Sequence, residues 1–202
     1  QGTSRDVLEA LRQPLEDKVV TVARAQAAYT YPAHFSLIAS MNPCPCGRYG
    51  SDLECTCTPQ QIQRYLSRVS GPLLDRLDLH VEVSRVRIEQ LQAGSSGESS
   101  SALRDRVCLA HDIQKRRFAG LPINHNSQMR TADLKRFCRL DEASYALLKS
   151  AFERLHLSAR AYDRILKISR SIADLEKSTS IRVKHVGEAL NYRSLDRKYW
   201  AT

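Results

Sequence analysis

The hydrophobic pattern changes period several times in the first third of the chain. Residues 5–17 (RDVLEALRQPLED) set Val7, Leu8 and Leu11 on one side of a helix that Pro14 and Asp17 bring to an end. Residues 18–24 (KVVTVAR) alternate and are β-branched, which predicts a strand, and the segment to Pro32 reads as the return arm of a hairpin. The apolar run 35–40 (FSLIAS) predicts a short buried strand. It stops at Met41-Asn42-Pro43, because proline cannot donate to a central ladder. Residues 58–69 predict a helix. Thr58 caps it, Pro59 fits its first position, and Gln61 completes a T-x-x-Q capping box. Ile62, Tyr65, Leu66 and Val69 share one face, and Ser70-Gly71-Pro72 stops the element. Residues 78–83 (DLHVEV) alternate as a further strand.

A polar run, QAGSSGESSS at 92–101, then separates two regimes. Beyond it the pattern is helical throughout. Leu103, Val107, Ala110 and Phe118 mark one helix, and a short one lies near 131–138. Tyr145, Leu148, Phe152 and Leu155 mark a third. Ile165, Ile168, Ile172 and Leu175 mark a fourth, and Val183, Val186 and Leu190 a last. The fold class is therefore α/β followed by all-α. An α/β part occupies 1–92, a linker 93–101 and a helical part 102–202.

Composition narrows the function. No run approaches the roughly 20 apolar residues of a membrane span, and the first residues lack the apolar centre of a signal peptide. The first two or three residues are expected to be an expression remnant. The formal net charge is +9, which favours an anionic partner, nucleic acid or nucleotide phosphate, without choosing between them. Six cysteines without a secretion signal point to reduced thiols and a cytoplasmic setting.

Four of those cysteines, Cys44, Cys46, Cys55 and Cys57, form a C-P-C-x8-C-T-C cluster in which Gly47 and Gly50 permit a tight loop. Four thiolates suit a tetrahedral Zn²⁺, although C-x-C has a shorter bite than C-x-x-C. Disulfides, four free thiols and an iron–sulfur cluster are the other readings. Cys108 and Cys138 lie in helical patterns and are expected in the core. His80, His111 and His185 show no ligand spacing.

Three further positions stand where chemistry gathers. Asn42 follows an apolar strand, beyond whose carboxyl end ligands collect in open α/β sheets. Its carboxamide offers an acceptor and two donors, yet Asn before Pro is also a common turn. Arg76, in GPLLDRLDL, suits a guanidinium reaching outwards to a phosphate, or an ion pair with Asp75 or Asp78. Ser158 is placed to cap a helix with Arg160 in its first turn, where a cation opposes the macrodipole. Arg160, Arg164 and Lys167 share a face that equally fits simple solvation.

Together, SLIASMNPCPCG (36–47), SGPLLDRLDLHVEV (70–83) and LSARAYDRILKISRSIADLE (157–176) resemble the magnesium-chelatase-like AAA+ ATPases of the competence (ComM) subfamily, from about Ser4 to Arg193. The resemblance implies the second half of an AAA+ α/β core, without the Walker A and B strands, followed by a C-terminal helical lid. It implies Asn42 as sensor 1, Arg76 as an arginine finger acting on ATP held by the adjacent subunit, and Arg160 as sensor 2. It also implies ATP and Mg²⁺ as cofactors of the full-length protein, a hexameric ring, no membrane, and DNA branch migration during transformation. The hairpin would lie where related ring ATPases carry inserts facing the pore, which makes Lys18 and Arg24 candidates for DNA phosphates, or else solvated cations.

The departure is that no G-x-x-x-x-G-K-[ST] and no apolar strand ending in an acidic pair occurs. The chain alone is thus expected not to hydrolyse ATP, and to be part of a longer protein whose missing strands leave an edge prone to self-association. A metal-insertion chaperone ATPase and a stand-alone zinc-containing DNA-binding module are the alternative functions.

Overall fold

The computed structural model describes residues 4–25, 27–84, 86, 97–155 and 157–193. The chain divides into two units, one ending at residue 85 and one beginning at residue 86.

In the first unit the predicted opening helix is two short ones. α1 (Arg5–Ala10) is capped by Ser4, α2 (Arg12–Asp17) follows after Leu11, and Pro14 is buried within α2. Proline removes an N–H that a single continuous helix needs, and the break falls one turn before it. Lys18 closes α2 with a left-handed φ of 59° and passes the chain directly into β1 (Val19–Arg24). β1 pairs antiparallel with β2 (Ala27–Pro32), in a register running from Val19 opposite Pro32 to Arg24 opposite Ala27. Because strand side chains alternate faces, Val20, Val22, Arg24, Tyr29 and Tyr31 share one face. That face is exposed.

The expected strands at 35–40 and 78–83 do not form. The only sheet among the described residues is the β1–β2 hairpin. Ile38 is 96% exposed and Val83 85%. A short apolar run becomes a strand only when neighbouring strands satisfy its N–H and C=O groups, and the described residues supply none. The helix predicted at 58–69 is present as α3 (Pro59–Leu66). Its capping box is complete: Gln61 N–H donates to Thr58 Oγ1 at 3.2 Å and Thr58 N–H to Gln61 Oε1 at 2.9 Å. Ser70 then caps the single turn α4 (Gly71–Leu74), which buries Leu73 and Leu74.

The second unit is all helical: α5 (Ser100–Arg117), a 3₁₀ turn (Asn126–Gln128), α6 (Thr131–Phe137), α7 (Glu142–Leu155), α8 (Ala159–Leu175) and α9 (Val183–Asn191). The predicted linker overlaps residues 87–96, which lie outside the described residues, and α5 already starts at Ser100. α8 is the central element. It packs on α5, α6, α9 and the 3₁₀ turn, and buries Ile165, Leu166, Ile172 and Ala173 in a core with Phe118, Met129, Leu134, Leu148 and Val186. Burying each such aliphatic side chain contributes about 1.5–3 kcal/mol. One expectation is corrected: Cys108 is exposed, whereas Cys138 is buried as expected. Leu103 and Val107, which mark α5 in the sequence, are 42% and 45% exposed. The first half of α5 carries an apolar stripe that its own unit leaves largely uncovered.

A carboxylate sits within this core. Asp174 is 1% exposed and accepts from Arg117 through both guanidinium nitrogens, from Arg170 Nε at 3.1 Å and from Asn126 Nδ2 at 2.9 Å. Arg170 also donates to the carbonyls of Ser178 (2.6 Å) and Thr179 (3.1 Å). The carboxylate therefore joins α5, the 3₁₀ turn, α8 and, through Arg170, the turn into α9. Asp174→Ala strands the buried Arg170 guanidinium and the half-buried Arg117 guanidinium and is expected to cost about 3–5 kcal/mol, measured by urea denaturation. A loss below about 1 kcal/mol would show that the network adds little.

Candidate functional site

The Cys loop is built from two tight turns. Gly47 N–H donates to the Cys44 carbonyl at 3.0 Å, and Ser51 N–H to the Arg48 carbonyl at 3.0 Å. Gly47 and Gly50 have φ of 77° and 76°, a region that costs other residues steric strain. These turns fold C-P-C back against C-T-C. The four sulfur atoms all lie within 4.8 Å of one another. Cys44 Sγ is 3.3 Å from Cys46 Sγ and 3.8 Å from Cys55 Sγ, and Cys46 and Cys55 are 3.6 Å apart. A tetrahedral zinc ion with Zn–S bonds of about 2.3 Å holds its thiolates about 3.8 Å apart, so the separations fit one ion at the centre. A multinuclear iron–sulfur cluster interposes several atoms and spreads its thiolates further. All four cysteines are free thiols, Cys44 is buried, and the other three are half-buried.

The surroundings suit anionic sulfur. Tyr49 N–H points at Cys44 Sγ over 3.4 Å. The Arg48 backbone N–H pulls the Cys46 thiol down to about 5, whereas desolvation pushes Cys57 up to about 12. One sulfur is thus readily a thiolate while another resists ionising beside it. A cation among them removes the conflict.

Asn42 is exposed, two residues before Cys44. A Cβ built on Gly47 would lie 3.8 Å from both Cγ and Nδ2 of Asn42, so the carboxamide rests beside the first turn of the Cys loop. Arg76, two residues beyond α4, is mostly covered. Its Nη1 donates to the Pro72 carbonyl at 2.6 Å and its Nη2 pairs with the Glu16 carboxylate of α2. Arg160 belongs to the second unit. It is exposed in the first turn of α8, which Ser158 caps by accepting from Ala161 N–H at 3.2 Å. Asn42 and Arg76 thus share one unit and Arg160 lies in the other.

Lys18 and Arg24 occupy opposite ends of β1, roughly 20 Å apart at about 3.3 Å per residue. Lys18 Nζ donates to the Leu15 carbonyl at 2.8 Å, while Arg24 is exposed beside the hairpin tip. Sequence reasoning missed the Tyr29 and Tyr31 face, although the Y-T-Y alternation carried it, and the Glu16 partner of Arg76, which no local pattern signals. His185 is buried, with Nδ1 accepting from Arg182 N–H and Nε2 3.0 Å from Glu176, a structural placement.

The reduced chain is expected to bind a single equivalent of Zn²⁺ with proton release, and the Cys44→Ser variant to bind it at least about tenfold more weakly. Competition against a chromogenic chelator measures both. Uptake well below one equivalent would refute the site.

Comparison with known proteins gives consistent matches. The profile described as magnesium chelatase, subunit ChlI, matches residues 2–91, and that of the ChlI C-terminal part matches residues 97–193. Competence protein ComM of Haemophilus influenzae is 43% identical over 194 residues, which cover 96% of this chain and 37% of that protein. The uncharacterized protein YifB of Salmonella typhimurium is 41% identical over the same shares. An uncharacterized protein of Mycobacterium tuberculosis is 39% identical over 94% of this chain and 37% of its own length. The chain thus spans little more than a third of the curated relatives it matches. With the two profiles together spanning nearly its whole length, the chain belongs to the magnesium chelatase ChlI family and is similar to its ComM and YifB members.

Proposed function

We propose that this chain is the sensor and lid portion of an AAA+ ATPase that assembles as a ring, hexameric in the full-length protein, and works on DNA in the cytoplasm. The observation that carries the reading is the ordered set of Asn42 beside the Cys loop, Arg76 after α4 and Arg160 in the first turn of α8, all inside a ChlI-family sequence. ATP with Mg²⁺ would bind mainly to the remainder of a longer protein, since this chain has no phosphate-binding loop. The exposed runs around Ile38 and Val83 have the composition of central strands whose neighbours lie elsewhere in that protein.

Each residue has a defined task in this reading. Asn42 orients water or a phosphate oxygen through its carboxamide. Arg76 already grips a carbonyl and a carboxylate, acceptors that a γ-phosphate of the neighbouring subunit replaces when the ring closes. Arg160 faces the nucleotide from the lid. DNA meets the β1–β2 hairpin, where Arg24 supplies charge near the tip, Tyr29 and Tyr31 offer aromatic faces, and Lys18 flanks the base. The net charge of +9 is consistent with such a partner.

The family description as a magnesium chelatase subunit favours a second reading, a metal-insertion chaperone ATPase. Turnover by the full-length protein separates the two. ATP hydrolysis is expected to rise with branched DNA and to fall about 10³-fold or more in Arg76→Ala. Turnover indifferent to DNA favours the chaperone, and unchanged turnover in the variant removes the role of Arg76.

A further inference from the structure

The four thiols lie between two segments that the proposed chemistry needs. On one side, Gly47 follows Cys46 directly, is tied back to the Cys44 carbonyl at 3.0 Å, and is the residue against which the Asn42 carboxamide rests. On the other, Cys57 runs into Thr58, the cap of α3. α3 leads to α4, whose Pro72 carbonyl receives the Arg76 guanidinium. The two halves of the tetrad meet through sulfur–sulfur approaches such as the 3.8 Å between Cys44 and Cys55, and through backbone N–H groups of Thr56 and Cys46 that donate to the Cys46 and Cys57 sulfurs. Contacts of that kind between thiols are weak.

We propose that a metal ion in the Cys44–Cys46–Cys55–Cys57 tetrad is a positioning centre that clamps the Asn42 segment to the start of α3 and fixes the Asn42 carboxamide beside Gly47. An ion bonded to all four sulfurs closes the eight-residue loop between Cys46 and Cys55 and ties both turns to one point. Gly47 cannot then swing away from Cys44, and the carboxamide keeps its support. Four thiolates would leave the ion no open position for nucleotide or water. It acts through the backbone of Gly47, as groups outside the reacting shell commonly do. The catalytic consequence rests on the assignment of Asn42 as a phosphate-facing residue, whereas the positional claim stands on the geometry alone.

The test uses the double variant Cys55→Ser/Cys57→Ser, which alters the far half of the tetrad and leaves Asn42, Gly47 and the first turn intact. Amide exchange at Gly47 and Tyr49 is expected to slow at least about tenfold when the wild-type chain takes up Zn²⁺. The Asn42 side-chain amide pair, identified by its loss in Asn42→Asp, is expected to shift in the same spectra. In the double variant, added Zn²⁺ should change neither. Stripping the wild type with a chelator repeats the comparison without any substitution, so a poorly folding variant leaves the question decidable. Zn²⁺ bound by the wild type with exchange and the Asn42 signals unmoved, or no Zn²⁺ bound at all, overturns the proposal. In the full-length protein the double variant is expected to lose roughly tenfold or more in kcat while KM for ATP stays within about twofold. An unchanged kcat overturns the catalytic consequence. A wild type with no turnover overturns the ATPase reading, and the exchange result still decides the positional claim.

Discussion

Four sulfur atoms within 4.8 Å of one another place a strong constraint on the first unit. As thiols they pack as small apolar groups with feeble mutual bonds. As thiolates they repel unless a cation sits among them. The fold brings them together through two glycine turns at positive φ, at positions where most residues would be strained. Among the described residues of the unit, polar contacts such as the Arg76–Glu16 pair join its parts alongside a small core. Among the described residues its buried side chains are few, notably Pro14, Cys44, Leu66, Leu73 and Leu74, and their sheet is a two-stranded hairpin, an arrangement of marginal independent stability in water. The loop that gathers the thiols is therefore the natural place for a strong bond to do what a large core does elsewhere.

The second unit is held together differently, by a helical core and a buried carboxylate. α8 buries side chains around most of its circumference, and Asp174 gathers two arginines and an asparagine at its far end. A buried ionic group of this kind adds little net stability against an apolar alternative, but its removal is costly because its partners remain buried. Its geometric effect is to fix where α5 and the turn into α9 sit relative to α8. The first turn of α8, which carries Arg160, thus projects from a helix whose other end is pinned.

Local chemistry was legible in the sequence wherever the stabilising partners are near in the chain. The capping box of Thr58 and Gln61, the Ser158 cap, the β1–β2 hairpin and the helices of the second unit all depend on neighbours a few residues away. The cysteine spacing was equally readable, since a C-x-C pair and a short loop leave few ways to arrange four sulfurs. Illegible features were those decided at long range. FSLIAS and DLHVEV have strand composition, yet strand formation depends on pairing residues that the sequence does not identify. Leu103 and Val107 follow the core period of α5 beyond the point where the core ends. Cys108 fails for the same reason, because periodicity gives a face without saying how far along the helix that face is covered.

Arg76 shows how one side chain serves two electrostatic partners. The sequence offered Asp75 or Asp78 as the simple alternative to a phosphate, and the structure pairs Arg76 with Glu16, sixty residues earlier in the chain. A guanidinium facing a carboxylate is already largely desolvated and oriented for an anion that can offer it two oxygens in the same way. Exchanging Glu16 for a phosphate therefore replaces one charge-assisted pair by another, and the ordering of the long side chain is largely complete beforehand. The same pairing sets a threshold, since an approaching phosphate gains only its advantage over Glu16. In the proposed ring, that difference makes the finger respond to a correctly seated neighbour rather than to any anion that reaches it.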